Sequence, residues 1–306
     1  SLWRDLSIAE RKEKPVVKTR IITAAVGLCV LAVVMLMFNT LVFEAVVALI
    51  AIIAVHEIYK AFALGEKETH IFIAFIPYTF LVMFSHVPAV EALLVPGSYL
   101  LAVYLAVCLL WHNRTLSAAK LGGMVVFSGL MIACFYSIVF IKNHLNNQFE
   151  SIYLIMMILC FAWGGDSAAY FAGRYFGKHK LAPVVSPHKT IEGAIGGVLG
   201  SGVLGVLCTL AAQALSVHLA AGKACLLLER MSASTASYLV VFILGMACSL
   251  LGILGDLFAS AVKRQCAIKD YGTIFPGHGG IMDRFDSVTF IAPAAALLVW
   301  FTTTFF

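Results

Sequence analysis

Charged side chains are scarce in this sequence of 306 residues. Asp, Glu, Lys and Arg together make up 12% of the chain, whereas 61% of its residues are hydrophobic. About a quarter of the residues are charged in a soluble domain, so this composition excludes a water-soluble protein. Apolar runs of about 20 residues, each enough for a helix to cross a bilayer, recur along the whole length. The sequence therefore predicts an all-α polytopic membrane protein without a separate soluble domain.

Motifs that mark several other enzyme classes are missing as well. None of the eight cysteines forms a CxxC pair, and most lie within apolar runs, which predicts small buried side chains rather than metal ligands or disulfides. The segment from Gly173 to His179 lacks the spacing of a P-loop, and His56 has no second histidine that would complete a zinc-protease motif. There is no G-x-S-x-G elbow, and no internal repeat indicates an inverted-repeat transporter.

Nine apolar segments are predicted to span the membrane as a single domain over residues 1–306. The N-terminal spans cover about 21–141, and the part that carries most polar motifs covers about 151–306. The segments are 21–38, 41–63, 70–87, 94–112, 122–141, 151–172, 193–219, 237–261 and 287–305. If the N-terminus is cytoplasmic, only Lys142, Lys223 and Arg230 fall outside, and the other 18 of the 21 basic residues lie inside. The sequence therefore predicts a cytoplasmic N-terminus.

The span that begins at Gly193 is rich in glycine. It carries Gly196, Gly197, Gly200, Gly202 and Gly205, which give two overlapping G-xxx-G pairs. Small residues let helix backbones approach closely in lipid. We expect this face to pack within the bundle, and a homodimer contact is the alternative.

Acidic residues gather beside the two long loops that are assigned to the cytoplasmic side. They are Asp166, Glu192, Asp256, Asp270, Asp283 and Asp286. A carboxylate at membrane depth costs about 3 kcal/mol and is rarely kept without a partner or a role. Asp166, Tyr170 and Arg174 share one helix face, and Asp256, Ser260, Lys263 and Arg264 share another, while Asp283 and Asp286 are spaced to share a third. Together these faces predict a site for Mg²⁺ and phosphate groups.

A less specific interpretation stays open for these charges. Each Asp–Arg pair can simply neutralise itself, and basic loops can bind anionic lipid head groups. The loop residues between Gly272 and Gly280 favour the functional interpretation, because glycines let backbone N–H groups approach a phosphate and His278 can donate to one. The run from Ser186 to Glu192 is typical of a capped helix start, with Thr190 or Ser186 as the cap.

Residues 260–286 read SAVKRQCAIKDYGTIFPGHGGIMDRFD. This segment resembles the signature of the phosphatidate cytidylyltransferase family, S-x-x-K-R-x4-K-D-x-G-x2-[LIF]-P-x-H-G-G-x2-D-R-x-D. The residues around Asp166, those from Ser186 to Gly193, and those around Asp256 are similar to other blocks of the same family. His188 departs from the family's common lysine. The resemblance covers the C-terminal half in detail, and the N-terminal half matches only as a series of spans.

The resemblance implies a Mg²⁺-dependent transfer of the cytidylyl group of CTP to phosphatidic acid at the cytoplasmic face of the inner cell membrane, without nucleic acid as a partner. It implies that Asp283, Asp286 and Asp256 bind the metal ion. It also implies catalytic or phosphate-holding roles for Asp283, Asp286, Lys263, Arg264, Lys269 and His278, and substrate-binding roles for Ser260, Arg284, Lys189, Ser186, Asp166 and Asp270.

Two other functions remain alternatives. Another CTP-using lipid enzyme, such as a polyprenol cytidylyltransferase or a CTP-dependent lipid kinase, would share the membrane architecture. A secondary transporter would also carry intramembrane carboxylates, but near mid-membrane rather than at one face.

Overall fold

The computed structural model describes residues 33–145, 147–219, 226–275 and 279–305, together with Gly27. The helices are α1 (Leu41–Ala61), α2 (Thr69–Met83), α3 (Pro88–Trp111), α4 (Ala118–His144), α5 (Gln148–Leu159), α6 (Gly165–Phe176), α7 (Ile191–Leu219), α8 (Leu226–Ser232), α9 (Thr235–Gln265), α10 (Met282–Phe285) and α11 (Val288–Phe305). A 3-10 turn covers Glu66–Glu68, and a π-helical turn, Cys160–Gly164, joins α5 to α6.

Six helical stretches of the described chain are long and apolar enough to cross a membrane. They are Leu41–Ala61, Pro88–Trp111, Ala118–His144, Gln148–Phe176, Ile191–Ser216 and Thr235–Gln265, and Thr69–Met83 and Val288–Thr304 are shorter apolar helices. These eight correspond to eight of the nine predicted spans. The first predicted span, 21–38, lies mostly outside the described residues. The all-α polytopic membrane fold is thus confirmed, while the count of nine spans and the side of the N-terminus stay predictions.

The core lies where α1 packs against α2 and α4, and where α4 packs against α11. Ala51 and Ala54 of α1 are fully buried, as are Met131 and Val139 of α4. Small side chains on α1 let the neighbouring helices approach, and close packing replaces the hydrophobic effect as the main attraction between helices in lipid. The N-terminal part of the chain is therefore a packed scaffold that contacts the C-terminal part.

The glycines of α7 form a close contact with α6. A Cβ atom at Gly196 would lie 2.2 Å from the Cβ of Ala172, and one at Gly200 would lie 2.4 Å from the Cβ of Ala168. Neither position can hold a larger residue unless the two helices move apart. The prediction that this glycine face packs within the bundle is confirmed.

The π-helical turn Cys160–Gly164 directs the start of α6. Its widened geometry leaves the carbonyl of Phe161 to accept a hydrogen bond from Ser201 Oγ at 2.9 Å. Trp163 Nε1 donates to the carbonyl of Arg284 at 2.9 Å, which ties this turn to α10. Such turns insert one residue into a helix and occur often at functional sites. Asp166 is the second residue of α6, which begins directly after this turn.

Three short elements were not predicted from the sequence. An antiparallel hairpin of β1 (Lys180–Ala182) and β2 (Ser186–Thr190) lies within the long segment between α6 and α7, and α8 and α10 are short helices in other connections. The hairpin is too small to change the all-α fold class, and strands this short leave little alternation to detect in the sequence. The expected cap is confirmed at Thr190, whose Oγ1 accepts from the backbone N–H of Gly193 at 3.1 Å.

Candidate active site

A cavity of about 630 Å³ lies between α6, the start of α7, α9, α10 and the hairpin. Its walls carry charges of both signs, contributed by Asp166, Arg174, Lys189, Asp256, Lys263, Asp270, Asp283, Arg284 and Asp286, and His188 lies beside them. A volume of this size suits a small-molecule ligand. Residues from each of the three helix faces that the sequence predicted line this one cavity.

The α6 wall presents the first predicted face. Asp166, Tyr170 and Arg174 follow one another at helical spacing, and all three line the cavity. Arg174 Nη1 donates to the hydroxyl of Tyr170 at 3.1 Å, which directs the guanidinium along the helix. This wall therefore runs from a carboxylate at the start of α6 to a cation near its end.

The α9 wall contributes Asp256, which has two partners. Ser260 Oγ donates to Asp256 Oδ1 at 3.3 Å, and Lys189 of strand β2 forms an ion pair with Asp256 Oδ2. The side chain of Asp256 is 20% exposed and that of Lys189 is 26% exposed. A partly exposed ion pair contributes little to stability. Both side chains line the cavity, where a ligand can reach them.

Asp283 is tied into the surrounding loop by both of its carboxylate oxygens. Lys263 Nζ lies 2.8 Å from Oδ1, and the backbone N–H groups of Tyr271 and Gly280 donate to Oδ2 at 2.8 and 3.0 Å. Gly279, which directly precedes Gly280, has φ at +83°, a conformation that favours glycine. Asp283 thus joins Lys263 to two backbone positions of the loop. These three contacts occupy most of the lone pairs of the Asp283 carboxylate.

Asp286 differs from Asp283 because other carboxylates are its main neighbours. Its side chain is buried, and its Oδ1 accepts from the backbone N–H of Ser287 at 2.8 Å. Burial, followed by the negative charges of Asp256 and Asp166, raises the pKa of Asp286 to about 8. The carboxylates of Asp166, Asp256 and Asp286 therefore form a cluster whose mutual repulsion is only partly offset by the nearby lysines.

This cluster fits a divalent cation whose coordination is completed by substrate. Mg²⁺ prefers one or two protein carboxylates, with phosphate oxygens and water in the remaining positions. Within the ranges that the structure describes, no three His, Cys, Asp or Glu side chains form a ready-made ion cage. Asp166, Asp256 and Asp286 are the carboxylates of the cavity that would hold such a cation.

The structure brings together most, but not all, of the residues that the sequence predicted for the site. Those lining the cavity are Asp166, Lys189, Asp256, Lys263, Asp270, Asp283, Arg284 and Asp286. Ser260 is buried behind Asp256, Arg264 donates from Nε to the carbonyl of Val185 at 3.2 Å, Lys269 is exposed, and Ser186 lies in β2. These four side chains do not line the cavity. His278 lies outside the described residues.

Three residues near the site were not among the predicted site residues. Arg174 and His188 line the cavity, and Glu57 of α1 contacts the loop that carries Asp283. The i, i+4, i+8 spacing from Asp166 already pointed to Arg174. An isolated carboxylate in an apolar run was the available signal for Glu57.

Comparison with known proteins agrees with this geometry. Residues 18–302 match the cytidylyltransferase family. The chain belongs to that family. The match includes every residue of the cavity wall, so family membership extends to the site as well as to the membrane spans.

Individual relatives of this cytidylyltransferase-family chain are named phosphatidate cytidylyltransferase. The chain is 36% identical to the one from Bacillus subtilis over 172 residues, which is 56% of this chain and 55% of that protein. It is 42% identical to the one from Staphylococcus epidermidis over 151 residues, 49% of this chain and 50% of that protein. It is 34% identical to the one from Rickettsia bellii over 203 residues, 65% of this chain and 78% of that protein. The chain thus spans about half the length of the first two relatives.

Proposed function

We propose that this chain transfers the cytidylyl group of CTP to phosphatidic acid, giving CDP-diacylglycerol and pyrophosphate for phospholipid biosynthesis. The observation that carries the proposal is the single cavity in which Asp166, Asp256 and Asp286 face Lys189 and Lys263. Carboxylates can hold a cation for the nucleotide phosphates, and the lysines can bind phosphate oxygens directly. The names of the relatives and the membership in the cytidylyltransferase family support the same reaction.

The cavity residues divide into two groups in this proposal. Asp286 and Asp256 hold Mg²⁺, with Asp166 beside them, because these carboxylates face one another and Asp283 is occupied by Lys263 and two backbone N–H groups. When bound, Mg²⁺ neutralises phosphate charge and acts as a Lewis acid. Asp283 keeps its place in the site as the residue that organises the loop and directs Lys263 toward the cavity.

The basic residues bring the two anionic substrates together. A phosphate oxygen of phosphatidic acid attacks the α-phosphorus of CTP, an O–P bond forms there, and the bond from that phosphorus to the leaving pyrophosphate breaks. Lys263 and Lys189 lie nearest the carboxylates, while Arg174 and Arg284 lie on the outer part of the wall. Little covalent chemistry falls to the protein, so holding both polyanions in line supplies most of the catalysis.

The membrane arrangement completes the proposal. With nine spans and a cytoplasmic N-terminus, as the distribution of basic residues in the sequence predicts, the basic residues of the cavity lie on the cytoplasmic side, where CTP is available. The protein then lies in the inner cell membrane with its active site at the cytoplasmic face. Its partners are CTP, phosphatidic acid and the bilayer, with no nucleic acid, and a homodimer is a further association to test by size measurement in detergent.

The reaction is tested with purified protein supplied with phosphatidic acid, Mg²⁺ and CTP that is labelled at the α-phosphate or at the γ-phosphate. Label from the α-phosphate is expected in the lipid, together with release of pyrophosphate. Transfer of the γ-phosphate instead would identify a lipid kinase, and faster turnover with a polyprenol phosphate would identify a different lipid substrate. Either result, or lipid that stays unlabelled, would overturn the proposal. An Asp256→Asn variant prepared in parallel is the control for contaminating activity.

A further inference from the structure

Glu57 is a buried carboxylate that the cavity chemistry does not use. It lies on α1, in the N-terminal part of the chain, and is 4% exposed. Its Oε1 accepts from the backbone N–H of Ile281 at 3.1 Å, and its Oε2 accepts from that of Met282 at 2.9 Å. These contacts join residues 224 and 225 positions apart in the chain. Among the described residues, no lysine or arginine forms an ion pair with Glu57.

The two N–H groups belong to the turn that begins α10. Ile281 is the N-cap residue of that helix, and its own side chain makes no capping hydrogen bond. The first N–H groups of a helix have no partner within the helix, so a carboxylate there satisfies donors that would otherwise be buried unpaired. Glu57 thus does from α1 what a local capping residue usually does. Asp283 lies within α10, and Asp286 directly follows it.

Two glycines of the same loop close around the Glu57 carboxylate. A Cβ atom at Gly272 would lie 2.1 Å from Glu57 Oε1, and one at Gly280 would lie 2.2 Å from the same oxygen. The loop backbone at Gly272 and at Gly280 therefore approaches the Glu57 carboxylate more closely than any residue with a Cβ atom would allow. The neighbouring N–H groups of Tyr271 and Gly280 donate to Asp283. Glu57 and Asp283 thus accept hydrogen bonds from neighbouring backbone N–H groups of the same loop.

We propose that Glu57 is a positioning residue: from the N-terminal part of the chain it holds the turn that carries Asp283 and Asp286, so that both face the cavity. Its effect on turnover rests on the function proposed above. Its effect on the loop does not, because the hydrogen bonds exist without substrate. A carboxylate behind the residues that bind a ligand typically changes activity by about 10- to 100-fold when it is altered.

Glu57→Gln is the most informative variant because it keeps the shape of the side chain. The new amide group turns an N–H donor toward a backbone N–H, so at least one of the two hydrogen bonds is lost. We expect kcat to fall about 10- to 100-fold, while KM for CTP changes less than about threefold. Hydrogen exchange of peptides covering residues 279–285 should rise, with exchange in α6 and α7 unchanged.

His56→Gln is the matched control, since His56 is the neighbour of Glu57 on α1 and its ring packs on Tyr59 and Phe72. This control should keep kcat within about twofold. If Glu57→Gln does not fold, Glu57→Asp serves instead, because it keeps both acceptor oxygens but draws them back by one methylene. A smaller loss of kcat with the same local rise in exchange is then expected.

Three outcomes would overturn the role of Glu57. They are a kcat like that of the wild type, exchange that rises throughout the protein rather than at 279–285, or a loss equal to that of His56→Gln. If the wild-type protein forms no CDP-lipid at all, the proposed function fails, yet the exchange measurement still decides whether Glu57 holds the loop.

Discussion

Helix α1 carries a buried carboxylate near each end, and the two are treated differently by their surroundings. Glu44, in the first turn, forms an ion pair with Lys142 of α4, whose ammonium group also lies 5.4 Å from the centre of the Phe43 ring. At the other end of α1, near Glu57, the cavity brings Asp166, Asp256 and Asp286 together. Glu44 is matched by a cation, whereas the three cavity carboxylates repel one another even though Asp256 pairs with Lys189.

The difference separates charges that serve the fold from charges that serve a ligand. A buried carboxylate paired with one ammonium group joins two helices and leaves little charge for a substrate to neutralise. Clustered carboxylates in an open cavity cost stability unless something positively charged binds there. The Glu44 end therefore joins α1 to α4, and the cavity end suits the cation and phosphate groups of the proposed function.

Asp286→Asn should show the largest effect on activity. Removal of one carboxylate from the cluster is expected to lower kcat by on the order of 10³-fold or more, since electrostatic groups of this kind dominate phosphoryl-transfer catalysis. Thermal unfolding in the absence of Mg²⁺ should occur at the same or a higher temperature, because a repelling charge is gone. Asp283→Asn, in contrast, should lose turnover and also unfold earlier, since Asp283 ties Tyr271 and Gly280. Equal stability losses in both variants would contradict this distinction.

Lys142→Met tests the opposite end of α1. It leaves Glu44 buried without its cation, so the free energy of unfolding should fall by about 3 kcal/mol, measured by denaturation in mixed micelles. Turnover per folded molecule should not change. The double variant Glu44→Gln with Lys142→Met should recover most of the lost stability. A change below about 1 kcal/mol in the single variant would show that the pair is not structural.

Lys189→Met removes a lysine that also pairs with a carboxylate, but in the cavity. Because this pair is partly exposed, the free energy of unfolding should change by less than about 1 kcal/mol. We expect kcat/KM for CTP to fall about tenfold or more, because a charge-assisted contact to phosphate is lost. Lys142→Met is thus expected to lower stability without changing turnover, and Lys189→Met is expected to lower activity with little change in stability. If Lys189→Met lowered stability as much as Lys142→Met, the two ends would not differ.

The smallest expected effect is a dependence of stability on pH. The pKa of Asp286 is raised from 3.8 to about 8, so the folded protein binds a proton there that the unfolded chain releases between these values. This contribution to stability is present below pH 3.8 and is lost as the pH rises toward about 8. The unfolding temperature of Mg²⁺-free protein should therefore decline over this range, and the decline should be shallower in Asp286→Asn. Identical slopes would exclude Asp286 as the titrating group.

Patterns within single helices were the part of the site that could be predicted. The apolar runs predicted eight apolar helical stretches that the structure describes. Helical spacing predicted that Asp166, Tyr170 and Arg174 share one wall. Both predictions succeed because they depend only on residues close in sequence. The contact of Glu57 with Ile281 joins distant segments, and no local pattern records it. Spacing alone also could not separate Asp283 from Asp286, since their different roles depend on which groups surround each carboxylate.

The π-helical turn Cys160–Gly164 has a further consequence for how α6 meets its neighbours. A turn of this kind contains one residue more than an α-helix needs over the same rise. Loss of one of these five residues would let α5 and α6 continue as a regular helix, with Asp166 and Arg174 facing nearly as before, because the turn already absorbs the extra residue. The carbonyl of Phe161, however, would return to hydrogen bonding within the helix and would no longer accept from Ser201. The extra residue thus supplies a backbone acceptor between two helices and leaves the direction of the acidic wall unchanged.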